Sequence, residues 1–280
     1  MMADRLIGRT IRTNVTHSLA PSTRAACRTS VGALARQVLE RYERMLEVPC
    51  PYPKYDIGFV PRLNALAISM PGLMLVSESL LARMTDPDDD FVALVCAHEV
   101  AHLWFGCHVG ARWWDDLWQD EAMASYLGYT VIGGAWDAFC YREKASAYQA
   151  DALPGRQPVS SPVASATDAM FRQVALTYSK GAAVIRQLAA LIGDEALRTG
   201  LADFMRRFGG GSAGLDDLIA CWSRSSGRGL RGWAQEWLRT EGAKGSGWCC
   251  GNRRPSCARY WRRGRCRGGG SERYSALLLI

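Results

Sequence analysis

The chain has 280 residues, of which 48% are hydrophobic and 22% charged, a composition typical of globular proteins rather than disordered or fibrous ones. Its length is sufficient for a buried core in one or two domains. The net charge of +7 is concentrated near the carboxyl end, because residues 242–280 hold nine of the 34 basic residues and one of the 27 acidic residues. The 25 basic and 26 acidic residues of 1–241 nearly cancel, so nothing there indicates a nucleic-acid partner or a membrane surface.

The sequence gives no clear targeting signal and no clear pattern of disulfide-forming cysteines. No apolar stretch approaches the roughly 18 residues of a membrane-spanning helix, and no hydrophobic signal-peptide core follows Met1. The ten cysteines are scattered or lie in the basic tail, which fits reduced thiols better than a disulfide framework. We therefore expect a cytoplasmic protein, and the sequence does not indicate its oligomeric state.

The amino-terminal third predicts one helix and three strands. Residues 1–29 form a basic N-terminal segment, after which hydrophobic periodicity predicts an amphipathic helix over 31–46. Short runs rich in β-branched and aromatic residues follow, separated by Pro and Gly. They predict strands at 55–60, 66–69 and 73–76.

A strongly apolar helix is predicted next, with an acidic, Pro-containing start at 86–90 and an end at Gly106. Within it, His98 and His102 are four residues apart and therefore lie on one face, about one turn from each other. Both imidazoles can reach one cation at roughly 2.0–2.1 Å. Glu99 lies about 100° around the helix, where a general base acting on a water molecule belongs.

A carboxylate on a second helix is the best third ligand. This helix is predicted over 115–132 and carries Glu121, which would complete three protein ligands and leave the fourth position open, as in catalytic zinc sites. His108 is the alternative, since it occupies the position of the third histidine in another zinc-protease pattern. That pattern needs Gly at the sharp turn, where this chain has Phe105, and a bulky residue adopts positive φ at a cost. The sequence thus favours Glu121 and one Zn²⁺ ion.

The remainder is predicted to be helical. Residues 151–169 are rich in Pro, Ser and Ala and predict a loop, and the helical part extends over 170–241. A helix over 171–191 places Tyr178 in its first turns. Beyond 242 the composition shifts to Arg, Gly and Cys without periodicity, and we hypothesise a frameshifted or truncated end that leaves a disordered tail, 242–280. The other predicted helices are 194–208, 215–223 and 230–240.

Three separated segments carry a family resemblance: HEVAHLWFG at 98–106, WWDDLWQDEAMASYL at 113–127 and YSKGAAVIRQL at 178–188. Together they resemble the aminopeptidase N family of gluzincin zinc metallopeptidases. The resemblance covers roughly residues 30–241 and implies a thermolysin-like catalytic domain there, with an α+β, mostly helical fold and a small mixed sheet.

The resemblance also implies the roles of five site residues. His98, His102 and Glu121 would be the ligands of a single zinc ion, and Glu99 would be the base. Tyr178 matches the family's catalytic tyrosine, whose phenol stabilises the oxyanion that forms on a peptide carbonyl.

One departure concerns substrate binding. The family carries the motif G-x-M-E-N before Pro-Gly, and its Glu binds the α-amine of the substrate. The corresponding stretch reads LAISM at 66–70, and Ser69 occupies the position of that Glu. Because a neutral hydroxyl cannot form the ion pair, we expect weaker recognition of a free amino terminus. Glu78, which also has a family counterpart, is the second candidate substrate-binding residue.

The resemblance implies a zinc-dependent aminopeptidase that hydrolyses N-terminal residues from peptides. Two alternatives stay open: an epoxide-type zinc hydrolase, since a leukotriene hydrolase shares these motifs, and a catalytically impaired or truncated fragment that binds zinc without turnover. The family's flanking domains have no expected counterpart in this chain. This predicts a more open cleft with fewer contacts to orient a peptide.

Overall fold

The computed structural model describes residues 10–15, 21–61, 63–81, 90–133, 135–141, 143–153, 157–170 and 175–242. Helices form most of these residues, and one mixed four-stranded sheet lies in the amino-terminal part. The predicted α+β, mostly helical fold with a small mixed sheet is confirmed.

The sheet consists of four short strands in the spatial order β1-β2-β4-β3. β2 runs parallel to both of its neighbours, and β3 pairs antiparallel with β4 at the edge. Alternation along β2 buries Tyr55, Ile57 and Phe59 in the core. The strands are β1 (Thr10–Val15), β2 (Lys54–Val60), β3 (Ala67–Met70) and β4 (Leu73–Ser77).

Three of these strands were predicted, and the start of the chain differs from the prediction. No helix or strand was predicted within 1–29, but this segment contains β1 and the first turns of the first helix, which begins at Pro21. Pro is well suited to the first turn of a helix, because its missing N–H needs no partner there. Residues 21–30 are mostly polar or small, so hydrophobic periodicity does not reveal them.

Eleven helices are present in the described residues, and two short strands pair parallel to each other, β5 (Val109–Ala111) and β6 (Gly211–Ala213). A 3₁₀ turn at Trp114–Asp116 precedes the fourth helix, and a π-helical turn at Ala175–Lys180 precedes the eighth. The helices are α1 (Pro21–Leu46), α2 (Glu78–Leu81), α3 (Phe91–Ala101), α4 (Trp118–Val131), α5 (Ala135–Tyr141), α6 (Glu143–Ala152), α7 (Ala166–Met170), α8 (Gly181–Ile192), α9 (Asp194–Phe208), α10 (Leu215–Ser226) and α11 (Arg231–Trp237).

Helix α3 lies at the centre of the molecule. It packs against α1 on one side and α4 on the other, and the buried Tyr42 of α1 donates a 2.9 Å hydrogen bond to the carbonyl of Ala97. After α3 the chain turns at Gly106, which has a φ of 103°. Gly106, the predicted end of the helix, is therefore the residue at which the chain turns. The regular helix ends earlier, at Ala101. Most of its predicted acidic start, residues 86–89, lies outside the described residues.

Two further predictions concern the carboxyl-terminal half. The predicted loop at 151–169 contains the end of α6 and most of α7, because the short Ala-containing runs within it suffice for single helical turns. The predicted helices at 194–208, 215–223 and 230–240 correspond to α9, α10 and α11. The tail beyond Gly242 lies outside the described residues. No helix in the described part combines the length and apolarity needed to cross a bilayer.

The close crossing of α8 and α4 depends on a glycine, Gly181, at the point of contact. A Cβ atom built on Gly181 would lie 2.5 Å from the Cβ of Ala122, so we expect Gly181→Ala to force the helices apart. The expected destabilisation is about 1–3 kcal/mol, measured by chemical denaturation. Gly232→Ala in α11 is the matched control, since nothing lies within 4 Å of its Cβ position. Equal stability of the two variants would contradict the close crossing.

Candidate active site

Three predicted side chains converge where α3 meets α4. His98 Nε2 lies 3.1 Å from His102 Nε2 and 3.2 Å from Glu121 Oε2, and His102 Nε2 lies 3.4 Å from the same oxygen. Ligand atoms at roughly 2.0–2.1 Å from a tetrahedral zinc ion are about 3.3–3.4 Å apart. The three atoms therefore have the chemistry and nearly the spacing of three corners of a zinc site.

Neighbouring groups orient both imidazoles. His102 Nδ1 lies 3.0 Å from the carbonyl oxygen of Phe105. Because a carbonyl only accepts, Nδ1 carries a hydrogen, and Nε2 is the nitrogen that faces the cluster. His98 Nδ1 lies 3.3 Å from Ser125 Oγ. Ser125 was not predicted, although it follows Glu121 by four residues and thus shares its face of α4.

Glu121 and His102 shift each other's pKa in opposite directions. Burial by itself raises the pKa of the Glu121 carboxyl, but His102 and His98 outweigh burial and hold this pKa well below its usual range. Burial by itself lowers the pKa of His102, and Glu121 more than offsets this effect, so the pKa is raised. Glu121 thus stays ionised, and an ionised carboxylate beside two imidazoles is a suitable donor set for a divalent ion.

Glu99 lies beside the cluster rather than within it. Its side chain is buried, with 3% of the residue exposed. Ser69 on β3 contacts Glu99 twice: its Oγ is 2.7 Å from Oε2 of the carboxylate and 2.8 Å from the backbone carbonyl oxygen. The predicted base and the residue predicted at the amine-binding position are thus in direct contact.

Tyr178 reaches the same site from the π-helical turn. Its ring stacks on His98 at 12°, with the ring centroids 5.7 Å apart. Burial, and then the Glu121 carboxylate, raises the pKa of Tyr178 well above its usual value, so the phenol remains a hydrogen-bond donor. The sequence predicted an ordinary α-helix at this position. The structure shows a π turn instead, an irregularity that is frequent at functional sites.

Two buried polar contacts attach this turn to α6. Lys180 Nζ lies 2.8 Å from Asp151 Oδ1, and both side chains are 2% exposed. Ser179 Oγ donates a 2.8 Å hydrogen bond to Glu143 Oε2. Sequence reasoning missed this pair of contacts. The available signal was Lys180 beside a Gly-Ala-Ala-Val-Ile run, since a lysine in so apolar a helix needs a buried partner.

A cavity adjoins the cluster between α3 and α4. Apolar side chains form most of its wall, and polar groups of the site lie along one part of it. The lining residues are Leu66, Leu94, Val95, His98, Glu99, Ser125, Gly128, Tyr129, Phe139, Glu143, Tyr178 and Ser179.

Two other candidates lie elsewhere. His108 is not part of the cluster formed by described residues; its imidazole packs where a Cβ on Gly209 would be, 2.3 Å from Nε2. Glu78 begins α2 directly after β4 and does not line the cavity. Ser69 contacts the site through Glu99, and neither Ser69 nor Glu78 is among the residues that line the cavity.

Comparison with known proteins identifies the family of this chain. The profile of the Peptidase family M1 domain matches residues 33–237. The chain belongs to peptidase family M1. The resemblance recognised in its motifs is thereby confirmed.

Relatives of this M1 chain are longer proteins. Aminopeptidase N of Streptomyces lividans is 32% identical over 219 residues, which cover 75% of this chain and 26% of that protein. Probable aminopeptidase 1 of Sulfurisphaera tokodaii is 31% identical over 222 residues, which cover 75% and 28%. Leucyl aminopeptidase of Saccharolobus solfataricus is 27% identical over 220 residues, with the same coverage of 75% and 28%. The chain spans about a quarter of the length of these relatives.

The buried ion pair of Lys180 and Asp151 is expected to contribute to the stability of this M1 domain. We expect Lys180→Met to destabilise the fold by about 3–5 kcal/mol, because the Asp151 carboxylate would be left buried and unpaired. Unfolding by guanidinium chloride measures the change. The double variant Lys180→Met/Asp151→Leu should recover part of the loss, since it removes both charges.

The exposed pair of Arg239 and Asp216 supplies the control. Arg239→Met should change the stability little, because solvent screens such a pair. If Lys180→Met were no more destabilising than Arg239→Met, the buried pair would not hold the turn.

Proposed function

We propose that this M1-family chain is a zinc-dependent metallopeptidase domain that acts as an aminopeptidase on short peptides. The observation that carries the proposal is the convergence of two imidazole nitrogens and one carboxylate oxygen at separations of 3.1–3.4 Å. The aminopeptidase names of several relatives support the reaction class.

Each residue has a role that its position supports. His98, His102 and Glu121 would hold the zinc ion, which when bound acts as a Lewis acid and makes a water molecule more acidic. Glu99 accepts a proton from the attacking water and later delivers it to the leaving amine. Tyr178 keeps its proton and donates a hydrogen bond to the oxyanion that develops on the peptide carbonyl.

The substrate end of the site differs from a full aminopeptidase site. Ser69 carries no negative charge for an α-amine, so recognition of a free amino terminus is expected to be weak. Glu78 becomes a second contact for the substrate when the peptide extends beyond the cavity wall. The substrate is a peptide, and selectivity for its first residue then depends on the apolar cavity beside His98.

The location of the protein also stays a prediction. Cys96 and Cys221 are buried cysteines outside any disulfide in the described residues, and burial raises the pKa of Cys96 to about 12. Buried reduced thiols of this kind favour a cytoplasmic location.

Matched variants separate metal binding from catalysis. Glu121→Gln should lose zinc, because an amide replaces the anionic ligand, and elemental analysis measures this. Glu99→Gln should retain one zinc ion per chain while peptide turnover falls by about 10²–10⁴-fold, since the base is lost. His108→Gln, outside the cluster, should change neither quantity.

The substrate panel consists of aminoacyl-nitroanilides with free and with acetylated amino groups. Turnover of the free-amine substrates supports an aminopeptidase. Preference for acetylated substrates would indicate cleavage inside peptides instead. A zinc-loaded protein that cleaves no member of the panel would contradict the proposed function and favour a zinc-binding fragment without turnover.

A further inference from the structure

The contact between Ser69 and Glu99 joins the edge strand of the sheet to the helix that carries the histidines. Ser69 lies on β3, and Glu99, 30 residues later in the chain, lies on α3. A hydroxyl has one hydrogen to donate. The carboxylate oxygen Oε2, at 2.7 Å, is a stronger acceptor than the backbone carbonyl oxygen at 2.8 Å.

This contact constrains the Glu99 side chain. Because the hydrogen bond from Ser69 Oγ to Oε2 links this side chain to β3, it restricts rotation of the carboxylate relative to α3. The hydroxyl engages Oε2, which leaves Oε1 to accept a proton. A carboxylate that acts as a general base must lie within about 2.6–3.2 Å of the proton donor, so free rotation of this side chain would reduce its efficiency.

The same contact changes the role of position 69. A serine that has donated its hydrogen to Glu99 offers a substrate only an uncharged acceptor. It is therefore poorly suited to select a protonated amine.

We propose that Ser69 is a positioning residue that orients the Glu99 carboxylate toward the metal cluster, rather than a residue that binds the substrate's amino group. The proposal rests on the proposed function of Glu99 as the base. It assigns Ser69 a role in the chemical step, and it predicts that substrates with and without a free amine depend on Ser69 equally.

Two substitutions at this position test the proposal in the zinc-loaded protein. Ser69→Ala removes the donor, and Ser69→Thr keeps a hydroxyl. For Ser69→Ala we expect unchanged zinc content, a fall in kcat of about 10- to 100-fold, as for the loss of a hydrogen bond to a charged group, and little change in KM. Ser69→Thr should restore most of the kcat.

A control variant and a crystallographic measurement complete the test. Ser77→Ala removes a buried hydroxyl from β4, where Ser77 contacts Ser79 rather than the site, and it should leave kcat and KM unchanged. Crystal structures of the zinc-loaded proteins should show one orientation of the Glu99 carboxylate in the wild type and in Ser69→Thr, and several or a shifted one in Ser69→Ala.

Each contrary outcome overturns a specific statement. A rise in KM alone for Ser69→Ala, confined to free-amine substrates, would make Ser69 a substrate contact. An unchanged Glu99 orientation in Ser69→Ala would show that the hydroxyl does not position the carboxylate. If the wild type bound zinc but hydrolysed no peptide, the proposed function would fail, and the crystallographic comparison would still decide the role of Ser69.

Discussion

The close packing of α4 against α3 is the constraint on which the site depends. A Cβ atom on Gly128 would lie 3.4 Å from the backbone nitrogen of His98, and Ala97 and Ala124 are fully buried. Small residues thus bring the two helix backbones close together. Only at this separation can the Glu121 carboxylate reach 3.2 Å from His98 and 3.4 Å from His102.

Polar contacts from the surrounding elements then orient the individual groups. The Phe105 carbonyl lies beside Nδ1 of His102, and Ser125 lies beside Nδ1 of His98. Ser69 contacts the Glu99 carboxylate. The pair of Lys180 and Asp151 holds the turn that presents Tyr178. A buried ion pair costs desolvation energy, and in this chain it lies directly behind a residue proposed to act in catalysis.

The groups proposed for hydrolysis and the position predicted to bind the substrate's amine lie on different elements of the fold. The groups proposed for hydrolysis lie on α3, α4 and the π turn, and all of them are within the residues that match the family. The position at which the family resemblance predicts an amine-binding carboxylate holds Ser69. The chain spans about a quarter of the length of its relatives.

Local periodicity in the sequence determined which residues share a face. It was sufficient for the pairing of His98 with His102, the position of Glu99 beside them, the alternation of β2 and most helix positions. The predicted second helix supplied Glu121 as the third ligand, and the family motifs added Tyr178. β1 and the early start of α1 escaped prediction, since their residues have no apolar period.

Only the tertiary structure decided the contacts between distant segments. Ser69 and Glu99 are 30 residues apart, and Lys180 and Asp151 are 29 apart. Such pairs depend on how the sheet, α3 and α6 pack, and hydrophobic burial, which drives that packing, has no direction along the chain. The π turn at Tyr178 was not predicted from the sequence either, and the two residues that follow Tyr178 contact α6.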